Sequence, residues 1–168
     1  MRDCWVRDVA GSGVFPQPTR YFVTPVDTAS DEKAREDWFS CALAHADGCD
    51  VLLLDPDTGL CPDRTHNPQY ASTHEVLTAV SAGKSVLTVQ FGRPGNLEKN
   101  AGLARTRLTK LAAVLEHNGL PQPWGFWWGD RHKVGILVAP ARPHRETLGT
   151  RRDQLLFHAG WTHRLVAL

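Results

Sequence analysis

Four consecutive apolar residues, Val51–Leu54, run directly into the polar turn 55–59, whose sequence is DPDTG. A short apolar run that ends at turn residues is typical of a strand buried on both faces of an α/β sheet. Such sheets bind ligands at the carboxyl ends of their strands. The stretch therefore predicts a buried central strand that brings the carboxylates of Asp55 and Asp57 to the sheet edge where chemistry takes place.

The size and charge of the chain narrow the functional classes. Its 168 residues are the usual size of one domain, so we expect residues 1–168 to form a single Rossmann-like α/β domain. The formal net charge is +1, which excludes the strong positive field behind tight, non-specific nucleic-acid binding. Any contact with a nucleotide or a nucleic acid is therefore expected to be local.

The sequence points to a cytoplasmic protein. No apolar run approaches the roughly 20 residues that cross a membrane, and the first residues lack the apolar core of a signal peptide. The 4 cysteines form neither a CxxC pair nor a zinc-finger spacing, so free thiols in a reducing compartment are expected. We expect no membrane partner, and a homodimer is compatible with the sequence.

Hydrophobic periodicity and turn residues divide the chain into strands and helices. We expect strands at 4–6, 20–24, 51–54, 85–91, 124–128 and 134–139, and helices at 34–46, 73–83, 97–117 and 145–160. Helices that join successive strands form βαβ units, and a short polar loop joins the last two strands into a hairpin. The expected fold is a three-layer Rossmann-like α/β fold, with a mostly parallel sheet and a C-terminal antiparallel hairpin at its edge.

The predicted helix at 97–117 is amphipathic. Leucines recur along one face, and the basic residues expected on the other faces are Lys99, Arg105, Arg107 and Lys110. A solvated basic face is the more frequent role of such residues, and a surface that follows a phosphate backbone is the alternative.

Several stretches also resemble a protein family. They are LDPDTGL at 54–60, the segments 69–75 and 86–93, and the tripeptide 161–163. These stretches are similar to uncharacterised bacterial α/β proteins that share LDPDNGL, a KY-x-x-x-[DE]E segment, a strand ending in YQH and a terminal WG-x-HF. The resemblance spans nearly the whole chain and implies an α/β fold, but it implies no named activity. The family also shares an opening GD-x-GD-x-x-K, which residues 1–15 match loosely. The chain departs from the pattern at Phe91, which replaces the histidine of YQH, and at Val14, which stands near the lysine of the opening motif.

Three carboxylates form the first candidate site. Asp55 and Asp57 follow the apolar strand, and Glu75 opens the helix after the loop 61–72, so all three can approach one sheet edge. Such oxygen ligands suit Mg²⁺ or Mn²⁺, which can activate water and stabilise a phosphoryl group. The first hypothesis is metal-assisted hydrolysis of a phosphoester in a nucleotide or nucleic acid, with Asp55 and Asp57 as metal ligands. In the simpler structural explanation, the two aspartates only close the turn.

Two other reactions and a non-catalytic role stay open. The expected architecture is similar to the methyltransferase type of Rossmann-like fold, and the turn at Asp55 stands where amino-methyltransferases have Asp-Pro-Pro-aromatic. The glycine-rich turn that would hold S-adenosylmethionine is not visible in the sequence. The pattern from Glu75 to Lys84 resembles the nucleophile helix of nucleoside deoxyribosyltransferases, in which a glutamate attacks the sugar. A binding module that has kept the fold without the chemistry is the last alternative.

The remaining candidates are polar residues close to the predicted strand ends. His163 completes the expected catalytic set, because histidine titrates near neutral pH and can transfer protons. The expected substrate-binding residues are Gly59, His74, Gln90, Arg93 and His132.

Overall fold

The computed structural model describes residues 18–26, 31–61, 67–92, 97–128, 134–158 and 165–168. The strand expected at 4–6 lies outside these residues. The chain divides into two compact units, Met1–Cys49 and Asp50–Leu168.

The first unit contains helix α1, Glu32–His45, close to where the sequence predicts it. Asp31 caps the helix, because its Oδ1 accepts a hydrogen bond of 2.9 Å from the backbone N–H of Ala34. Gly48 follows the helix with φ +74°, a left-handed conformation that glycine adopts at no steric cost. The predicted helix is thus confirmed.

The strand expected at 20–24 is wrong. This segment is irregular and has no strand partner among the described residues. The ring of Phe22 instead meets the ring of Trp38 edge-on at 5.7 Å, and Trp38 Nε1 donates a hydrogen bond of 2.9 Å to the carbonyl of Thr24. The aromatic content that indicated a strand serves to pack an extended segment onto α1.

The second unit contains the remaining elements. In chain order they are β1 (Val51–Leu54), β2 (Gly59–Cys61), β3 (Tyr70–Ser72), α2 (Thr73–Ser81), β4 (Ser85–Phe91), α3 (Leu97–His117), β5 (Trp124–Trp128), β6 (Val134–Ala139), α4 (Arg145–Phe157) and β7 (Leu165–Ala167). The sequence predicts β1, β4, β5, β6 and the three helices closely, and it misses the short strands β2, β3 and β7. None of the helices within the described ranges is long and apolar enough to cross a membrane.

The expected mostly parallel, three-layer Rossmann-like sheet is wrong. The strand order is β1-β4-β6-β5-β7, in which β1 and β4 are parallel and the other described neighbours are antiparallel. β2 and β3 form a separate small parallel sheet. The antiparallel pairing of β5 with β6 is confirmed, but these two strands do not lie at the edge of the sheet as expected. Helix α3 connects β4 to β5 and leaves room for one strand between them. Strand β6 fills that position and is antiparallel to both neighbours.

The position predicted for β1 is also wrong. β1 is an edge strand of the described sheet, and the residues Val51 and Leu53 on one of its faces are 43% and 45% exposed. A run of apolar residues does not distinguish burial on two faces from burial on one, because its length and composition are the same in both cases. The central strand is β6, since it is third in the order of five strands.

One face of the five-stranded sheet forms the core with α3. Paired residues of adjacent strands share a face, and the residues Val86, Thr88, Leu137 and Trp127 of this face are at most 2% exposed. Ala101 and Ala104 of α3 pack on Trp127. Polar residues are buried under the same helix, and they lie beside the turn that follows β1.

Candidate functional site

Asp55 and Asp57 lie where the sequence predicts them, directly after β1. Leu54 is paired with Thr88 of the parallel strand β4, so the turn stands at the carboxyl end of the parallel pair. Both aspartates are exposed to solvent. The carboxylates are therefore accessible to a ligand at the sheet edge that the sequence indicates.

The two carboxylates are close enough to influence each other. The pKa of Asp55 is raised above the ordinary value of 3.8, first because the protein partly removes its carboxyl from water and second because of the negative charge of Asp57. A raised pKa means that the ionised form of Asp55 is disfavoured where it stands. A cation or a bound proton at this turn relieves that cost.

The far side of the turn is attached to the small sheet. The backbone N–H of Thr58 donates a hydrogen bond of 3.0 Å to the carbonyl of Gln69. Gly59 is then paired with Tyr70 at the start of the β2–β3 ladder. Pairing to β3 fixes the direction in which the chain leaves Asp57.

Gly59 allows the turn to approach buried side chains very closely. Its φ of +116° is a conformation that residues with a Cβ rarely adopt. A Cβ at this position would stand 2.8 Å from Gln90 Cδ and 3.0 Å from Arg107 Nη1. The glycine is thus required by both backbone conformation and space, and in this structure its role is structural.

Gln90 and Arg107 lie beneath the turn as a buried pair. Gln90 is 1% exposed and Arg107 8% exposed, and Arg107 Nη1 donates a hydrogen bond of 2.9 Å to Gln90 Oε1. The same Nη1 reaches the carbonyl of Thr58 at 3.4 Å, and the guanidinium carbon stands 6.0 Å from the centre of the Tyr70 ring. Gln90, expected to bind substrate, therefore contacts the base of the turn and is covered by protein.

The buried amide of Gln90 is only half satisfied. Arginine can only donate hydrogen bonds, so its contact with Gln90 identifies the amide oxygen and leaves Nε2 on the other side. Gln90 Nε2 is buried without a hydrogen-bond partner in the ranges that the structure describes. An unsatisfied buried donor costs on the order of 1–3 kcal/mol. The contact to Arg107 is thus kept at an energetic cost.

Glu75 is committed to the start of helix α2. Its Oε2 accepts a hydrogen bond of 2.8 Å from the backbone N–H of Ser72, and Ser72 Oγ accepts one of 3.1 Å from the N–H of Glu75. The two contacts form a capping box. Glu75 is 4% exposed, and the neighbouring His74 is half-buried. The carboxylate of Glu75 thus has a structural role in addition to any chemical one.

The other predicted site residues, Arg93, His132 and His163, lie outside the described residues. Within the described part of the chain, no group of three or more histidine, cysteine, aspartate and glutamate side chains is arranged to hold a metal ion. The structure therefore brings together Asp55 with Asp57, and Gly59 with Gln90.

Sequence analysis misses the role of Arg107. We expected it on the solvated basic face of α3, and this is wrong, whereas Lys99, Arg105 and Lys110 are exposed as predicted. A signal is present in the helical spacing, because Arg107 is three residues after Ala104 and four before Leu111, both of which are buried. A basic residue on the apolar side of a helix needs a buried acceptor, and Gln90 supplies one.

A second polar cluster has the residue types of a catalytic triad, but its serine is buried. Ser85 Oγ lies 3.0 Å from His144 Nδ1, and His144 Nε2 lies 3.6 Å from Asp50 Oδ1. A nucleophilic serine has to reach its substrate. Ser85 is fully buried, and its Oγ accepts a hydrogen bond of 3.0 Å from the N–H of Ala141. The cluster therefore stabilises the amino end of β4. The acidic turn, residues 55–58, lies at the other end of the parallel pair of strands.

A shallow depression of about 500 Å³ lies on another element. Its lining residues are Arg142, Arg145, Glu146, Gly149, Thr150 and Asp153. Side chains of both charge signs line it, and Arg142 is already engaged by a hydrogen bond of 2.7 Å to the carbonyl of Gly119. The depression favours no class of ligand.

No family model, no curated protein and no solved structure matches the chain. The resemblance to the proteins with the LDPDNGL motif therefore stays a prediction from the sequence. The function has to be argued from the chemistry of the acidic turn and the residues beneath it.

Proposed function

We propose that the chain is a small hydrolase that uses Asp55 and Asp57 in the metal-assisted cleavage of a phosphoester in a nucleotide or nucleic acid. The observation that carries the proposal is the pair of exposed, interacting carboxylates at the carboxyl end of β1. This pair stands on a turn whose base is fixed by buried contacts. Accessible reacting groups on a rigid support are what catalysis by positioning requires.

The residues fit a divalent cation that is shared with the substrate. Mg²⁺ is usually bound by one or two carboxylates together with waters and substrate phosphates, without a cage made of protein alone. Asp55 and Asp57 would supply those carboxylates, and the charge repulsion at Asp55 favours cation binding. When bound, such an ion lowers the pKa of water and offsets the negative charge on the phosphoryl oxygens.

The chain itself would position the phosphoryl group, since Asp55 and Asp57 would share the cation with it. In hydrolysis the oxygen of water bonds to phosphorus, the bond to the leaving oxygen breaks, and the proton of the water passes to the leaving oxygen. Asp57 would hold the phosphoryl group in place through the shared cation.

The structural role of Glu75 favours the aspartates over it as the reacting groups. Its carboxylate already accepts the backbone N–H of Ser72 and is buried. A nucleophile that attacks a sugar needs a free oxygen aimed at an open site. The aspartates lie on an exposed turn instead.

The proposal is tested by hydrolysis of two chromogenic substrates, bis(p-nitrophenyl) phosphate and p-nitrophenyl phosphate, with Mn²⁺ and after removal of metal by EDTA. We expect turnover only with the metal. Asp57→Asn is expected to lower the metal-dependent rate by roughly 100-fold or more, which is the size of effect that loss of a reacting group produces.

Asp47→Asn is the matched control. Asp47 is an exposed aspartate in the turn that precedes Cys49, and its replacement should leave the rate unchanged. Equal rates in Asp57→Asn and the wild type would overturn the proposal. Binding of Mn²⁺ without turnover of either substrate would assign the site to a binding module.

A further inference from the structure

We propose that Arg107 and Gln90 are positioning residues that hold the acidic turn 55–58 in the geometry needed for hydrolysis. The inference rests on the proposed function, since it concerns the same site. It assigns a functional role to two buried side chains, one of which is an arginine that the sequence predicts on a solvated face.

The contacts of Arg107 converge on the turn. Its Nη1 bridges Gln90 Oε1 at 2.9 Å and the carbonyl of Thr58 at 3.4 Å. Gln90 is anchored in β4, the strand parallel to β1, and Arg107 is anchored in α3. The guanidinium therefore joins the last residue of the acidic turn to both the sheet and a helix.

The approach of Gly59 shows how tightly this arrangement is packed. A single added carbon at Gly59 would meet both Gln90 and Arg107 at 3.0 Å or less. A turn in such contact cannot shift toward the core, and its pairing to Tyr70 limits movement away from the core. Because Asp55 and Asp57 belong to the same turn, the positions of their carboxylates are restricted as well.

The unsatisfied amide supports a functional reason for Gln90. Apolar side chains at both 90 and 107 would avoid the orphaned Nε2 and the buried charge, so stability alone does not favour this pair of residues. Glutamine is favoured if its oxygen must direct Arg107 toward Thr58. Natural proteins accept local costs of this kind at functional sites.

Arg107→Lys is the first test. Lysine keeps the charge but loses the planar fork that reaches Gln90 and Thr58 together. With bis(p-nitrophenyl) phosphate and saturating Mn²⁺, we expect kcat to fall by roughly tenfold to 100-fold, as for a displaced reacting group. The KM should change little, because Arg107 is buried and does not touch the substrate. The ¹⁵N–¹H resonances of 57–59 should shift or broaden even without metal.

Arg105→Lys is the matched control, because Arg105 is an exposed residue of the same helix. It should leave the kinetics and the resonances of 57–59 unchanged. If Arg107→Lys does not fold, Gln90→Met serves instead, since it removes the acceptor of Arg107 and also the orphaned donor. It should fold and show the same loss of kcat.

The two proposals fail in different ways. No turnover by the wild type, together with displaced resonances of 57–59 in Arg107→Lys, would reject the hydrolase and retain the positioning role for the turn. Turnover that is lost in Asp57→Asn but unchanged in folded Arg107→Lys and Gln90→Met would reject the positioning role alone. Equal loss of kcat in Arg105→Lys would also overturn it.

Discussion

At the scale of the residue, Asp55 links the chemistry of the site to the stability of the fold. Burial and Asp57 raise its pKa, so the folded protein binds the Asp55 proton more tightly than the unfolded chain does. Stability contributed by this group is therefore greatest below the ordinary pKa of 3.8 and falls as the pH rises toward the higher folded value. At neutral pH the ionised carboxylate is a cost.

Asp55→Asn should consequently stabilise the protein at neutral pH. The expected gain in the free energy of unfolding is below about 1 kcal/mol, because the residue is exposed and water screens its charge. Urea unfolding at several pH values measures it. The gain should shrink toward zero below pH 3.8, where aspartate is also neutral. A loss of stability in Asp55→Asn that is the same at every pH would contradict the assignment of its cost to charge.

Single residues also show which features of the site the sequence predicts and which it does not. The sequence predicts Gly59 as a substrate-binding residue and does not predict its close approach to Gln90. The exposed carboxylates of Asp55 and Asp57 follow from a strand that ends in a turn. The pairing of Arg107 with Gln90 does not, because these residues come from different elements. Only the packing of α3 on β4 brings them within hydrogen-bond distance.

At the scale of the element, local signals predict most helices and strands well. The helix expected at 73–83 is confirmed as α2, Thr73–Ser81, and the structure adds a capping box between Ser72 and Glu75. The same local evidence fails at 20–24, where aromatic residues favour a strand but pack on α1. Whether such a segment pairs depends on a neighbouring strand, which propensity does not supply.

Glu75→Gln separates a capping role from a chemical one. Glutamine can also accept the N–H of Ser72, so stability should stay within about 0.5 kcal/mol of the wild type, whereas Glu75→Ala should lose about 1 kcal/mol. Thermal unfolding and the hydrolysis assay are the measurements. We expect Glu75→Gln to keep its hydrolytic rate. A folded but inactive Glu75→Gln would return Glu75 to the catalytic set.

At the scale of the whole molecule, strand order is what the sequence leaves undetermined. Each βαβ segment is visible, yet the position of β6 between β4 and β5 reverses the expected majority of parallel pairs. Hairpin formation fixes that β6 neighbours β5, but it does not say on which side. The side that β6 takes depends on the strand position that α3 leaves open beside β4 and on the burial of β6. Both depend on residues that are far apart in the sequence.

β1 lies at the edge of the sheet and not at its centre, but the turn that follows it still combines accessible carboxylates with a buried support. The acidic turn follows an exposed edge strand, which leaves its carboxylates open to a ligand. Its other side rests on Gln90 and Arg107 in the core. Accessible acids above and a rigid base below are the two properties on which the proposed hydrolysis depends.

Paramagnetic broadening by Mn²⁺ tests this account across the whole chain. A small amount of Mn²⁺ is added to ¹⁵N-labelled protein with a 5′-mononucleotide, and the amide signals that broaden first locate the ion. We predict that these are the amides of Asp55 and of 57–59, and that Asp57→Asn abolishes the effect. First broadening at Glu146 and Asp153 on α4, or sharp signals throughout 55–59, would contradict the central claim that the acidic turn is the functional centre.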